Sequence, residues 1–180
     1  MDPGWLSNAY VVADEPGGTA VFVDSGAPLE PLLRAVDEWQ VTPTHVMRTH
    51  SHPDHVAHES ELGVPVARES LETGDLWVEA IPTPGHSDDM VAFVVNDAAV
   101  FSGDTLFKDA IGGGDYEQVR AAVMDVYMPM PPGRRVLPGT AMAIGLVETP
   151  ATRAPWYAIN GPDAVITMPA MPARAAWSAK

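Results

Sequence analysis

The stretch Thr49-His50-Ser51-His52-Pro53-Asp54-His55 packs three imidazoles and a carboxylate into seven consecutive residues. Five of the six histidines of the chain fall between residues 45 and 58. Imidazole and carboxylate are good ligands for zinc or iron, and each imidazole offers one nitrogen to the metal and the other to a supporting acceptor. Along an extended segment, side chains alternate with period 2, so His50 and His52 point the same way. Pro53 suits the first turn of a helix, where no N–H is required. Asp54 and His55 on that turn then face a second point a few ångströms off. One short loop can thus feed two cations at the ~3.5–4 Å spacing of two-metal enzymes. A lone surface histidine is ordinarily solvated; four potential ligands within six residues point to metal.

The elements around this loop read as a sheet-based protein. Asn8–Ala13 and Thr19–Asp24 favour strands and are joined by the turn-rich Asp14-Glu15-Pro16-Gly17-Gly18, which predicts an antiparallel hairpin. Leu29, Leu32, Leu33 and Val36 recur at helical spacing within Pro28–Trp39. His45–Thr49 reads as a buried strand running into the histidine loop, and Asp54–Leu62 as the helix leaving it. Strands are expected at Val64–Ala67, Leu76–Ile81, Val91–Asn96 and Ala99–Ser102, a helix at Asp115–Tyr127 and a last strand at Arg135–Leu137. Hairpins followed by alternating strands and helices favour an α/β sandwich over a helical bundle.

The 180 residues suit one domain, and 46% hydrophobic residues can bury a core. Ten basic against 24 acidic side chains give a net charge of -14, which opposes binding to nucleic acid. The absence of cysteine excludes disulfides, iron–sulfur clusters and thiolate zinc sites. The N-terminus lacks a basic region followed by an apolar run, and no stretch approaches the ~20 apolar residues of a membrane span. A cytoplasmic protein acting on a small molecule, with no membrane partner, is the expectation. The charge is unevenly placed. Residues 1–140 hold 22 acidic and 7 basic side chains, whereas 141–180 hold 2 and 3, with 11 alanines and 5 prolines. This divides the chain into a core, 1–140, and a divergent tail, 141–180, with helix expected near Met142–Val147.

His50-Ser51-His52-Pro53-Asp54-His55 is an H-x-H-x-D-H signature and resembles that of the metallo-β-lactamase fold superfamily. Further segments agree in order and spacing over residues 8–139. Asn8, Tyr10 and Val23-Asp24-Ser25-Gly26 look like that family's opening hairpin. Pro84-Gly85-His86-Ser87 looks like its next ligand loop, and Phe101-Ser102-Gly103-Asp104-Thr105-Leu106-Phe107 like the loop of its bridging aspartate. Val136-Leu137-Pro138-Gly139 looks like the strand and turn before its last ligand. The resemblance is strongest to the glyoxalase II-like hydrolases. It implies a four-layer αβ/βα sandwich, incomplete at the C-terminus, with metals at one edge between the two sheets. His50, His52 and His86 would hold the first metal, Asp54 and His55 the second, and Asp104 would bridge them, while Asp24 would orient the histidine loop. The implied cofactor is zinc, one or two ions. The implied activity is metal-dependent hydrolysis of a thioester, ester or related acyl bond by metal-bound hydroxide, with Asp54 orienting the water and receiving its proton. Lys108 would pair with an anionic part of the substrate.

The family continues Pro-Gly-His where this chain reads Pro138-Gly139-Thr140, and no histidine follows. A neutral hydroxyl is a poor zinc ligand beside imidazole. The missing ligand and the altered composition coincide, which fits either a divergent ending or a reading frame disrupted near residue 139. Two further readings follow: a persulfide-dioxygenase-like enzyme with one iron held by His50, His86 and Asp104, or a catalytically impaired metal-binding remnant.

Overall fold

A computed structural model describes residues 7–107 and 110–140, and the backbone of 156–160 and 164–168. Lys108 and the helix expected near Met142–Val147 lie outside the described residues. The first sheet contains β1 (Tyr10–Ala13), β2 (Thr19–Val23), β3 (Thr42–Met47) and β4 (Val66–Ala67), in that spatial order. The second has the order β11-β8-β7-β6-β5, from β5 (Leu71–Thr73), β6 (Leu76–Pro82), β7 (Val91–Val95), β8 (Ala99–Gly103) and β11 (Arg135–Pro138). Two short strands, β9 (Leu106–Phe107) and β10 (Ala110–Ile111), pair with each other. In the tail the described backbone forms an antiparallel hairpin, β12 (Trp156–Asn160) with β13 (Ala164–Met168).

Three apolar clusters define four layers. Tyr10, Val12, Val21 and Val23 of the first sheet meet Val78, Phe93, Val95 and Phe101 of the second, filling the space between the sheets. The alternate residues Val11, Ala13, Ala20 and Phe22 face outward against Leu32 and Ala35 of helix α1 (Leu29–Trp39). Ala92, Val94 and Val100 face outward from the second sheet against Tyr127 and Val123. Period-2 alternation on each sheet thus generates the αβ/βα sandwich. Leu33, expected on the buried stripe of α1, is exposed; Ala35 takes that place.

The sheets deliver their strand ends to one edge. β2 and β3 are parallel, as are β8 and β11, while β6 runs antiparallel to β7 and hence in the direction of β8. The C-terminal ends of β2, β3, β6, β8 and β11 lead respectively to Asp24, His50, His86, Asp104 and Thr140. The start of β1 ties the two sheets together there. Tyr10 Oη donates to the Pro138 carbonyl at 2.6 Å, Asn8 Nδ2 donates to the same oxygen at 2.9 Å, and the Asn8 amide donates to Gly139 O at 2.6 Å. Tyr10→Phe removes one of the two donors to that carbonyl while keeping the ring packed edge-on to Phe101. A loss of about 1 kcal/mol in urea-induced unfolding is expected, with an unchanged m-value.

Two expected elements differ for a reason visible in the hydrogen bonds. β3 stops at Met47 because the Thr49 amide leaves the ladder and donates to Asp24 Oδ1 at 2.8 Å. The helix expected over Asp54–Leu62 is a single turn, α2 (Pro53–Val56), followed by a 3₁₀ turn at Glu59–Glu61. Its backbone is diverted to the loop after β2: the Ser25 amide donates to His55 O at 2.8 Å and the His58 amide to Ser25 O at 3.1 Å. A bidentate Arg48–Glu59 ion pair, both contacts 2.6 Å, anchors the 3₁₀ turn. The helix expected over Asp115–Tyr127 begins as α3 (Tyr116–Ala121), with the Asp115 carboxylate accepting from the Gln118 amide, and continues as π-helical turns over Ala122–Tyr127.

Candidate metal centre

His50 Nε2 lies 3.0 Å from His52 Nδ1, and His86 Nε2 lies 3.0 Å from the same atom. Nitrogens bound at ~2.0–2.1 Å to a tetrahedral zinc are separated by roughly 3.3–3.4 Å, so these three imidazoles fit a common cation with a small outward adjustment. His50 is fully buried, while His52 and His86 reach solvent, leaving the fourth direction open.

The supporting nitrogens of His86 and His50 are each tied. His86 Nδ1 donates to the Gly113 carbonyl at 2.9 Å, which leaves the Nε2 lone pair facing inward. His50 Nδ1 donates to Thr49 Oγ1 at 3.1 Å, and that hydroxyl donates onward to Asp24 Oδ2 at 2.8 Å. Asp24 Oδ2 also accepts from His55 Nδ1 at 2.8 Å. The buried Asp24 carboxylate therefore orients His55 directly, His50 through Thr49, and the loop backbone through the Thr49 amide. Asp24 has φ of 55°, a left-handed conformation that aspartate tolerates better than most residues.

A second group of donors lies beside the first. His55 Nε2 is buried without a hydrogen-bond partner and faces Asp104 Oδ1 at 3.4 Å and Asp54 Oδ2 at 3.7 Å. Asp104 spans the two groups, because its other oxygen, Oδ2, lies 3.7 Å from His86 Nε2. The ligand atoms of His50, His55 and Asp104 lie within 4.8 Å of one another, as do those of His50, His52 and His86. Burial would lower the pKa of His55, but the Asp104 and Asp24 carboxylates outweigh it and push it up to about 10. A proton on Nε2 then stands in the gap between carboxylates that a cation would occupy, and the two compete for that place. His50 is pushed the other way, to about 3, by burial and then by the charge of His55, so its imidazole is neutral.

The glycines of the site set its spacing. A Cβ on Gly26 would overlap the Asp54 carbonyl and the Ser7 hydroxyl that donates to it, so only glycine lets the loop after β2 pass beneath α2. A Cβ on Gly139 would stand 2.6 Å from His55 Cε1 and 2.7 Å from Asp104 Oδ1, placing the end of β11 against the second donor group. Thr140 follows there, and its hydroxyl donates to Asp104 Oδ1 at 2.6 Å. Burial would raise the Asp104 carboxyl, but contact with His55 and the hydrogen bond from Thr140 outweigh it and hold it below the usual carboxylate range.

The structure thus brings His50, His52, Asp54, His55, His86, Asp104 and Asp24 to one edge, with Thr140 beside them. His45 lies within β3 and His58 pairs with Glu61 at 2.7 Å, both apart from this group. Sequence reasoning missed Thr49, whose hydroxyl relays between His50 and Asp24, and the Gly113 carbonyl. Thr49 was legible in principle, since a hydroxyl next to the first histidine of the loop is well placed to support it; a backbone carbonyl has no sequence signature.

The fold is that of a B3 metallo-β-lactamase, BLEG-1, whose crystal structure superposes with a TM-score of 0.70 at 25% identity over 80% of this chain and 90% of that one. The chain has the metallo-β-lactamase fold. A second protein of this fold, TTHA1623 in a di-iron-bound form, gives a TM-score of 0.63 at 26% identity, covering 80% of this chain and 91% of that one. Among curated sequences the chain is similar to the hydroxyacylglutathione hydrolase of Xanthomonas axonopodis pv. citri, 34% identical over 125 residues, or 58% of this chain and 47% of that protein. It therefore spans about half the length of that hydrolase. It is also 24% identical over 165 residues to the "Probable polyketide biosynthesis zinc-dependent hydrolase BaeB" of Bacillus velezensis, covering 75% of this chain and 73% of that protein. No protein-family model matches the chain. Among the described residues, no helix of this metallo-β-lactamase-fold protein is long and apolar enough to cross a membrane.

Proposed function

We propose that the chain is a metal-dependent hydrolase acting on a thioester, ester or related acyl bond of a small molecule, in the cytoplasm. The observation that carries this is the convergence of His50 Nε2, His52 Nδ1 and His86 Nε2 on one open point, with Asp104 reaching from there to His55. The neutral His50 imidazole suits a cation site, and at the buried His55 Nε2, which has no hydrogen-bond partner, a cation would take the place of the proton that the facing carboxylates favour. Zinc, when bound, supplies Lewis acidity and a water acidified to a pKa of ~7. His50, His52 and His86 would hold the first ion and Asp104 would span to the second position at His55 and Asp54. Asp54, at the partly exposed mouth, would orient the attacking water and take its proton on a carboxylate oxygen. Asp24 and Thr49 would keep the imidazoles in the tautomer that faces inward. Lys108 would meet an anionic part of the substrate. The similarity to hydroxyacylglutathione hydrolase over half its length supports the thioester class.

The test is to load the metal-free chain with zinc and follow both melting and thioester cleavage. Zinc at 1,000 times its Kd should add ~4 kcal/mol to stability. That is worth roughly 10 °C in Tm for a chain of this size. Cleavage should appear with zinc and vanish with a chelator. No shift in Tm and no cleavage would overturn the reading, and turnover is also what separates it from an impaired metal-binding remnant.

One observation favours a second reading. Thr140 stands where the second position needs a ligand, whereas His50, His86 and Asp104 are intact. Two histidines and one carboxylate suit a single iron, as in a persulfide-dioxygenase-like enzyme. One iron per chain with oxygen uptake on a persulfide, in place of acyl hydrolysis, would select it.

A further inference from the structure

The loops that carry His50, His52 and His86 come from different sheets, the first leaving β3 and the second joining β6 to β7. A side chain outside the ligand set joins them from behind. Asp89 Oδ2 accepts from the Ser51 hydroxyl at 2.7 Å, and Asp89 Oδ1 accepts from the Ser87 hydroxyl at 2.8 Å. Ser51 sits between His50 and His52, so period-2 alternation turns it away from the donor nitrogens and toward Asp89. Ser87 directly follows His86. Each carboxylate oxygen therefore holds the reverse side of one ligand loop.

Asp89 is itself fixed from a third element. Arg68, next after β4, places Nη1 3.2 Å from Asp89 Oδ2, and its Nη2 donates to the Asp89 carbonyl. The main chain adds a link in the same place, where the Val91 amide donates to the Thr49 carbonyl at 2.9 Å. None of these contacts involves His55, Asp54 or Asp104.

From this geometry we propose that Asp89 is a positioning residue that clamps the two histidine loops at the spacing required by the first cation. It acts through Ser51 and Ser87 and touches neither metal nor substrate. This rests on the reading that His50, His52 and His86 hold a cation. Residues that support ligands from behind typically contribute 10–100-fold to metal affinity, and a clamp made of two hydroxyl bonds belongs at the lower end.

The test uses the full chain and its Asp89→Ala and Asp89→Asn variants, with two measurements. Calorimetric titration should show zinc binding at the first site weakened about 10-fold in Asp89→Ala. Part of the affinity should return in Asp89→Asn, whose one remaining carbonyl oxygen can still accept from a serine. Hydrogen exchange of the metal-free proteins should rise in Asp89→Ala at residues 50–52 and 86–88, with little change in Tm because the Asp89 side chain is 33% exposed. Unchanged affinity together with unchanged exchange would overturn the clamp. So would an affinity loss accompanied by faster exchange throughout the chain, since that is a general loss of fold. If the parent protein takes up no zinc but exchange rises at those two loops alone, Asp89 still ties the loops together, while its role toward a cation falls with the hydrolase reading.

Discussion

His86→Ala is expected to remove the first cation and, with it, at least ~1,000-fold of any hydrolytic rate, about 4 kcal/mol of transition-state stabilisation. The reasoning starts from the number of donors. His86 supplies one of three nitrogens, and no other histidine among the described residues faces the gap it would leave. Two imidazoles and water hold zinc far more weakly than three, and the cation is what acidifies water and takes charge from the carbonyl oxygen. His86 makes the cleaner variant because it is partly exposed and its Nδ1 bond goes to a loop carbonyl that water can satisfy. His50→Ala should have the same catalytic effect with an added stability cost, since His50 is fully buried and its loss opens a cavity beside Thr49. Elemental analysis after gel filtration, paired with a thioester cleavage assay, checks both. Retained zinc with full turnover in His86→Ala would show that these imidazoles are not the working ligands.

Much of this was legible from residue spacing, and the reasons separate what could be read from what could not. The sandwich follows from runs such as Tyr10–Ala13 and Val91–Val95, whose alternation supplies two apolar faces to each sheet. The histidine loop is local, so its spacing alone placed His50 and His52 on one side and Asp54 and His55 on the next turn. His86 and Asp104 lie some 30 and 50 residues on in sequence, and their meeting with the loop was inferred from a family resemblance; strand order alone would not have been visible. What stayed hidden depended on long-range hydrogen bonds. The helix after Asp54 looked longer than it is because nothing local reveals that Ser25 captures the His55 and His58 backbone groups. The π-helical turns at Ala122–Tyr127 have the same apolar spacing as an α-helix over so short a span. Asp89 carries no motif of its own, and its importance appears only when Ser51 and Ser87 are seen on its two oxygens.

Set against the family pattern that the sequence resembles, the second donor group differs at one position. His55 is still held by Asp24, Asp54 is still at the mouth and Asp104 still spans inward. The altered member is Thr140, which offers a neutral oxygen and spends its proton on Asp104 Oδ1, the same oxygen that faces His55. That bond draws electron density from a carboxylate oxygen that a cation beside His55 would use. Compared with that pattern, a cation at the second position would find one nitrogen fewer and one carboxylate oxygen already engaged.

Thr140→His should reverse both changes. It removes the hydroxyl donor from Asp104 and puts an imidazole on a residue that already contacts the donor group, next to a Gly139 that fits closely against His55 and Asp104. A structural zinc site of four ligands binds with ~10–16 kcal/mol, so one added imidazole in place of water is worth on the order of 100-fold in affinity. The parent chain is expected to bind one zinc tightly and a second weakly; Thr140→His should bind two tightly, and hydrolysis should rise because two cations share the developing oxyanion charge. Thr140→Val separates the two causes. It frees Asp104 Oδ1 without adding a ligand, so it should recover only the small part of second-site affinity that the hydrogen bond withholds. Calorimetric zinc titration of the three proteins gives the stoichiometries directly. Two tight sites in the parent chain would show that the hydroxyl of Thr140 is no obstacle. A single site persisting in Thr140→His would mean that the position of the chain after Gly139, and not the side chain at 140 alone, sets the second site.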